Sequence, residues 1–304
     1  MIHKSPSAFI NVFLFSLFWA LDIIVSKMAF VAGAKPIPFT VQSAMVALLF
    51  LAAVVLPGNI KHIRSLSKKT IFWLLFANAI HFGLGSLLSN SGIALTSAVN
   101  AGFLVKFSLV TTTFFAWLFL KEIITGTKIA SGIIMIAGAY LITATGQTIV
   151  PHVGDILIIF SCIAVSIGNI LIRKTIRNTT INEDVATLLK PIAGIPVMLL
   201  FVLASPLYPP HIQSALSAHY LNIGFYPYVF GAGIFMSMAW LFLNRTLKIA
   251  TASYNTMMSM MTPVFVAVIA VFFLGERTTP LQIIGGLLII VAGIIVHRSD
   301  IRQT

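Results

Sequence analysis

Cysteine and acidic residues are what this sequence has least of. Among 304 residues there is one cysteine, Cys162. A single cysteine excludes a disulfide framework and a CxxC metal site. Aspartate and glutamate together number seven, against nineteen lysines and arginines, and the four charged types make up 9% of the chain. A typical soluble domain carries roughly 25%. With 59% apolar residues, there is too little polar surface to coat a soluble globule. A soluble enzyme, a disordered chain and a nucleic-acid-binding domain are thereby excluded. Also missing are the GxxxxGKS or GxxxxGKT phosphate loop of an ATP-driven pump, HExxH and GxSxG. No two carboxylates lie close enough in one apolar stretch to hold a metal pair. No enzyme activity, cofactor or metal is expected.

What the sequence does have is long apolar runs. A membrane helix needs roughly 20 mostly apolar residues. Ten such stretches are present, at 8–31, 37–56, 70–89, 96–120, 128–147, 154–173, 185–207, 225–244, 251–274 and 280–297. Barrel strands alternate over only about 10 residues, so these are helices. Ala32-Gly33-Ala34 looks like a signal-peptidase site, but the run before it is too long and carries Asp22 and Lys27. No cleavage is expected there.

The basic residues read as a topology signal. With the N-terminus in the cytoplasm, fourteen fall on inner segments: Lys4, Lys61, Arg64, Lys68, Lys69, Lys121, Lys128, Arg173, Lys174, Arg177, Arg245, Lys248, Arg298 and Arg302. Only Lys35 and Arg277 fall outside, and Lys27, Lys106 and Lys190 lie within spans. Both termini are expected in the cytoplasm, in a bacterial inner or archaeal plasma membrane. The +12 charge is then mostly orientation, with lipid headgroups as partners and nucleic acid excluded. Glu183 and Asp184, in the loop near Arg173, Lys174 and Arg177, are expected to be solvated.

The two halves resemble each other. Residues 21–27 (LDIIVSK) align with 168–174 (GNILIRK), an offset of 147. Thr96-Ser97-Ala98-Val99-Asn100 aligns with Thr251-Ala252-Ser253-Tyr254-Asn255, an offset of 155. Leu120-Lys121-Glu122 matches Leu274-Gly275-Glu276, and Ser131 and Gly138 match Gly286 and Gly293. Each repeat, 1–147 and 148–304, holds five spans, an odd number. The second half therefore enters the membrane in the opposite sense. The expected fold is all-α: ten transmembrane helices as two inverted five-helix repeats around a central cavity. Inverted repeats recur in secondary transporters, because two related halves of opposite sense can exchange conformations at little cost.

These motifs together resemble the drug/metabolite transporter superfamily, in particular its ten-span EamA-type members. The likeness rests on the stretches leading into spans four and nine, on Met261-Thr262-Pro263-Val264-Phe265, on Phe273-Leu274-Gly275-Glu276-Arg277 and on the closing Gly286-to-Gly293 segment. It departs at Ser108, which stands where Pro263 stands in the second half, at Lys106, and at Asp22 after Trp19. The resemblance implies a ten-helix basket walled by spans 1, 3, 4, 6, 8 and 9, with spans 5 and 10 peripheral. It further implies export of amino acids, related metabolites or xenobiotics.

Ionisable groups within spans cost about 2.5–3.5 kcal/mol each on insertion scales, so they are functional candidates. Phe15, Trp19, Asp22 and Ser26 share one face of the first span, and Cys162, Ser166, Asn169 and Arg173 share the matching face of the sixth. Asp22 can bind an amine, carry a proton, or simply pair with Lys106 or Lys190. Lys106, near mid-span, can attract a carboxylate or phosphate. Lys190, some five residues into the seventh span, can do the same or snorkel to the interface. His81, on a helical face with Asn78 and Gly85, can relay protons or only pack. Ser237, Trp240 and Asn244 share a face of the eighth span, and Asn255, Ser259 and Thr262 one of the ninth. Such residues often only hold helices together.

On the walls that the resemblance implies, the expected substrate-binding set is Trp19, Asp22, His81, Asn100, Lys106, Asn169, Trp240, Tyr254 and Asn255. Asp22 and His81 are the proton-coupling candidates. The expected function is secondary transport of small organic metabolites by alternating access. An organic-anion or phosphate-ester exchanger using Lys106 and Lys190 is a second possibility, and a passive pore or scaffold a third. The expected assembly is a monomer or homodimer.

Overall fold

The computed structural model describes residues 6–96, 103–144, 152–203, 223–274 and 279–302. Asn100 lies outside the described residues. Every described element is helical. The first repeat holds α1 (Pro6–Val31), α2 (Pro36–Ser65), α3 (Lys68–Asn78), a π-helical segment (Ala79–Leu84), α4 (Gly85–Ala94), a 3-10 turn (Val105–Phe107), α5 (Ser108–Leu120) and α6 (Gly126–Ala144). The second holds α7 (Val153–Asn178), α8 (Glu183–Leu203), a short 3-10 turn (Ile223–Phe225), α9 (Tyr226–Ile249), α10 (Ala252–Ser259), α11 (Thr262–Leu274) and α12 (Pro280–Arg302). Among the described residues, nine helical stretches are long and apolar enough to cross a membrane, and Val105–Leu120 is a shorter apolar tenth.

Local chemistry explains the ends. Ser67 caps α3 by accepting the Thr70 N–H at 3.1 Å, and Thr251 caps α10 by accepting the Tyr254 N–H at 3.1 Å. Prolines sit in the first turns of α2 and α9, where no N–H partner is needed. Some helices outrun the apolar stretches: α2 continues to Ser65, past the expected end at 56, through Pro57. Hydropathy marks only the part of a helix that lipid surrounds. Beyond it, His62 and Arg64 in the last turn suit the negative end of the helix dipole.

The helices form one bundle. α1 runs along α9 and also touches α10 and α11. α7 packs on α3, α4, α5 and the π segment, while α8 packs on α2, α3 and that same segment. α9 and α10 bridge α1 to α7. The central core lies between α2, α7, α8 and α9, around Leu51, Ile172, Met198 and Trp240. α6 and α12 pair beside this body, crossing where a Cβ on Gly138 would meet the Gly285 carbonyl and one on Gly285 that of Gly138. The close approach thus falls on Gly285, one position before the Gly286 of the repeat pattern. Leu49, Phe72 and Ile283 are among the large apolar side chains exposed on the outside. In a bilayer they face lipid.

Candidate functional site

Among the described residues, three spans depart from a continuous α-helix. The third carries the π segment Ala79–Leu84, which includes His81. The fourth is broken at Val105–Phe107, where Lys106 sits. The ninth is broken between Ser259 and Thr262, where Met260 and Met261 turn back on Met257 and Met258. Positions 105–107 correspond to 260–262 by the repeat offset, so both halves break at the same place. Thr262-Pro263 signals the second break, since proline suits a helix start. In the first half Ser108 takes over, its hydroxyl donating to the Val105 carbonyl at 2.9 Å. Broken spans expose backbone polar groups inside a membrane protein and are recurrent binding points in transporters. π-bulges are likewise frequent at functional sites.

The π segment also alters the expected face of His81. Alpha-helical spacing puts Asn78, His81 and Gly85 in one row, but the wider turn separates them. Asn78 is buried, with its amide donating to the Ala186 carbonyl at 3.5 Å. His81 is half-buried against α7, so closely that a Cβ on Gly168 would collide with it. Phe82 lies over Gly194 of α8 in the same way.

The remaining candidates separate into groups. On α1, Trp19 and Asp22 are half-buried, as are Phe15 and Ser26. The Ser26 hydroxyl bonds Asp22. Asp22 makes no ion pair with Lys106 or Lys190, so the static pair considered from sequence is not formed. Lys106 is half-buried near Cys162, whose thiol donates to the Leu104 carbonyl at 3.5 Å. On α7, Asn169 is buried and its Oδ1 has no hydrogen bond, and the same holds for Asn255 of α10. Tyr254 is buried with its hydroxyl 2.9 Å from His297 Nδ1 on α12, so it is directed toward the peripheral pair.

Trp240 belongs to a group that sequence alone does not assemble. Its ring packs edge-on to Phe82 at 4.6 Å, and the Lys190 Nζ lies over it at 5.3 Å from the centroid. Lys190 has 0% relative exposure. It does not reach the interface: Trp240 of α9 lies against it, and α8 packs on α2, α9 and the π segment.

At the end bearing most basic residues, the two repeats are tied together. Glu122, just beyond α5, is buried and accepts a hydrogen bond from Arg173 of α7. The same carboxylate accepts the Ala252 N–H at 2.9 Å, the Ser253 N–H at 3.2 Å and the Ser253 hydroxyl at 2.7 Å. It thus caps α10, while Arg173 Nε donates to the Ala250 carbonyl at 3.0 Å. Beside this, Arg245 holds Asp184 by two bonds of 2.9 and 2.8 Å. Asp184 is therefore a bridge between α8 and α9 and not a freely solvated acid. Glu122 was visible beforehand only as a repeated residue, the partner of Glu276 in the pattern.

Two shallow clefts, of about 330 and 480 Å³, open between α3 and α8 and between α2 and α9. Neither is lined by the expected set.

Ten apolar spans in two related halves, both broken at corresponding points, define a multi-pass membrane protein of transporter type. The chain belongs to the EamA-like transporter family, whose sequence model matches residues 6–144 and again 152–298. Comparison with curated proteins gives no match. Among solved structures, one titled "Crystal structure of protein" superposes with a TM-score of 0.78 over 99% of each chain at 14% identity. That likeness concerns the fold alone.

Proposed function

We propose that the chain is a secondary transporter that moves small organic metabolites, amino acids or related compounds, by alternating access. In this reading it sits in the plasma membrane with both termini in the cytoplasm, exports its substrate and performs no chemistry on it. The observation that carries the reading is the tie at the basic end. Glu122 of the first repeat closes on Arg173 and on the α10 N-terminus of the second. A closure made between two inverted halves supports a cycle in which one end opens as the other shuts. The half-buried stripe of Trp19 and Asp22, with His81 and Lys106, then supplies the polar wall.

Proton coupling through Asp22 and His81 is part of the proposal. In proteoliposomes holding the purified protein, an imposed pH gradient should drive uptake that saturates with substrate. Asp22→Asn should abolish that dependence while leaving counterflow intact. Unchanged pH dependence removes Asp22 from the mechanism, and unsaturable flux without counterflow identifies a pore or scaffold. One observation favours a second reading, an organic-anion exchanger: a wholly buried lysine in the interior, Lys190.

A further inference from the structure

We infer that Lys190 is the binding point for the carboxylate of an organic acid, at the junction of α8, α9 and the π segment. The inference rests on the transporter reading and names a substrate class for it.

Lys190 is fully buried, and its Nζ makes no hydrogen bond. An ammonium taken out of water without a partner is costly, and such a group either gives up its proton or takes an anion as partner. Among the described residues the chain supplies none. Glu122 is engaged by Arg173 and the α10 amides, and Asp184 by Arg245. Asp155 caps α7 through the His152 N–H and takes the Thr96 hydroxyl. Asp22 bonds Ser26. Glu183 opens α8, about 10 Å along the axis from Lys190. Glu276 and Asp300 lie outside the described side chains. The sequence puts one at the close of the ninth span and the other beyond the tenth. An organic anion from outside the chain would supply the negative charge that the described residues do not.

The aromatic surroundings suit the apolar body of such an acid. Three further buried polar atoms near Lys190 lack hydrogen bonds: Asn78 Oδ1, His81 Nδ1 and Asn244 Oδ1. Asn78 reaches Ala186, one turn before Lys190, and Asn244 reaches Thr187, on the lysine's own face of α8. Both amides are held by these bonds, so their free oxygens remain acceptors. His81 is within electrostatic reach of Lys190. Phe82 and Trp240 supply the apolar wall.

The test is thermal unfolding of the purified full-length protein with benzoate, and with benzamide as its neutral counterpart. Benzoate should raise Tm in a saturable way and benzamide should not, since a ligand that binds the native state in preference to the unfolded one raises Tm. Lys190→Met should fold, because it fills the same volume without charge, and should weaken benzoate binding at least tenfold. Lys190→Arg should retain it. Equal shifts with benzoate and benzamide in the unmodified protein, no shift with benzoate, or a full benzoate response in Lys190→Met each overturns the inference. Counterflow of labelled phenylalanine and phenethylamine in proteoliposomes separates the two claims. Saturable phenethylamine flux with Lys190-independent phenylalanine flux leaves transport standing and removes the lysine site. A Lys190-dependent benzoate shift without flux of either compound removes transport and leaves the site.

Discussion

The first helices of the two repeats carry corresponding polar stripes that meet different fates. On α1, Phe15, Trp19, Asp22 and Ser26 are all half-buried. On α7, Cys162, Ser166, Asn169 and Arg173 are all buried. Ser166 sits 2.6 and 2.8 Å from the Thr111 and Thr112 hydroxyls of α5, and Arg173 is closed over by Glu122. The α1 stripe has no such cover. Related segments of opposite sense therefore occupy unlike environments within one structure. The α7 side is sealed along its length, and the α1 side keeps accessible polar surface. The proposed alternating-access cycle calls for such an inequality in either of its end states. A static scaffold has no need of it.

The comparison breaks most visibly at Glu122. Glu122→Leu strands Arg173 inside the protein, and breaking a buried pair from one side costs about 3–5 kcal/mol. A large fall in Tm is expected, measured by thermal unfolding in detergent. The double variant Glu122→Leu with Arg173→Met should recover much of it, because no uncompensated charge remains. Equal destabilisation of the single and double variants would contradict the assignment of the pair.

A smaller effect sharpens the contrast along the stripes. Ser166→Ala takes the Thr112 hydroxyl's partner away in a dry interior, while Thr111 keeps the Cys162 carbonyl at 3.2 Å, at a cost of about 1–3 kcal/mol. Ser26→Ala, one stripe over and half-buried, should cost about 0.5 kcal/mol, since water can replace the lost bond. Similar losses from the two would mean that the α1 stripe is as sealed as that of α7. A comparably small effect is expected from Arg245→Ala. Its side chain is 38% exposed against 23% for Asp184, and a solvated pair contributes about 0.2–1 kcal/mol. Raised salt should lower the parent stability by a similar small amount and leave the variant unchanged.

Much of the fold was legible because the signals are local. Runs of roughly 20 apolar residues need only composition to be seen. The repeat is legible from short matching stretches, and the break in the ninth span from Thr262-Pro263. The matching break at Lys106 is readable only through the repeat, since Ser108 gives no local stop. The π segment at His81 has no sequence signature. It forms where α7 and α8 present Gly168 and Gly194 to receive His81 and Phe82. For the candidate site the divide is sharper. Trp240 and His81 are identifiable as polar or aromatic residues in wall spans, but their meeting near Lys190 is not. Tyr254 shares a helix face with residues of interest, yet its hydroxyl turns to His297.

By itself, the sequence determined membrane residence, the count of spans, the duplication and the clustering of basic charge at one end. Each of these follows from hydropathy, charge and periodicity along a single stretch of chain. Only the tertiary structure decided which charges are covered. Lys190 and Asp184 both looked like interfacial groups. One is sealed in the core without a hydrogen bond, and the other is held by Arg245. The scarcity of acids turned out to matter in the same way. With seven carboxylates for nineteen cations, most pairings cannot be internal. Which cation goes unmatched depends on helix faces meeting across the bundle, and burial is a property of those neighbours, not of the residue.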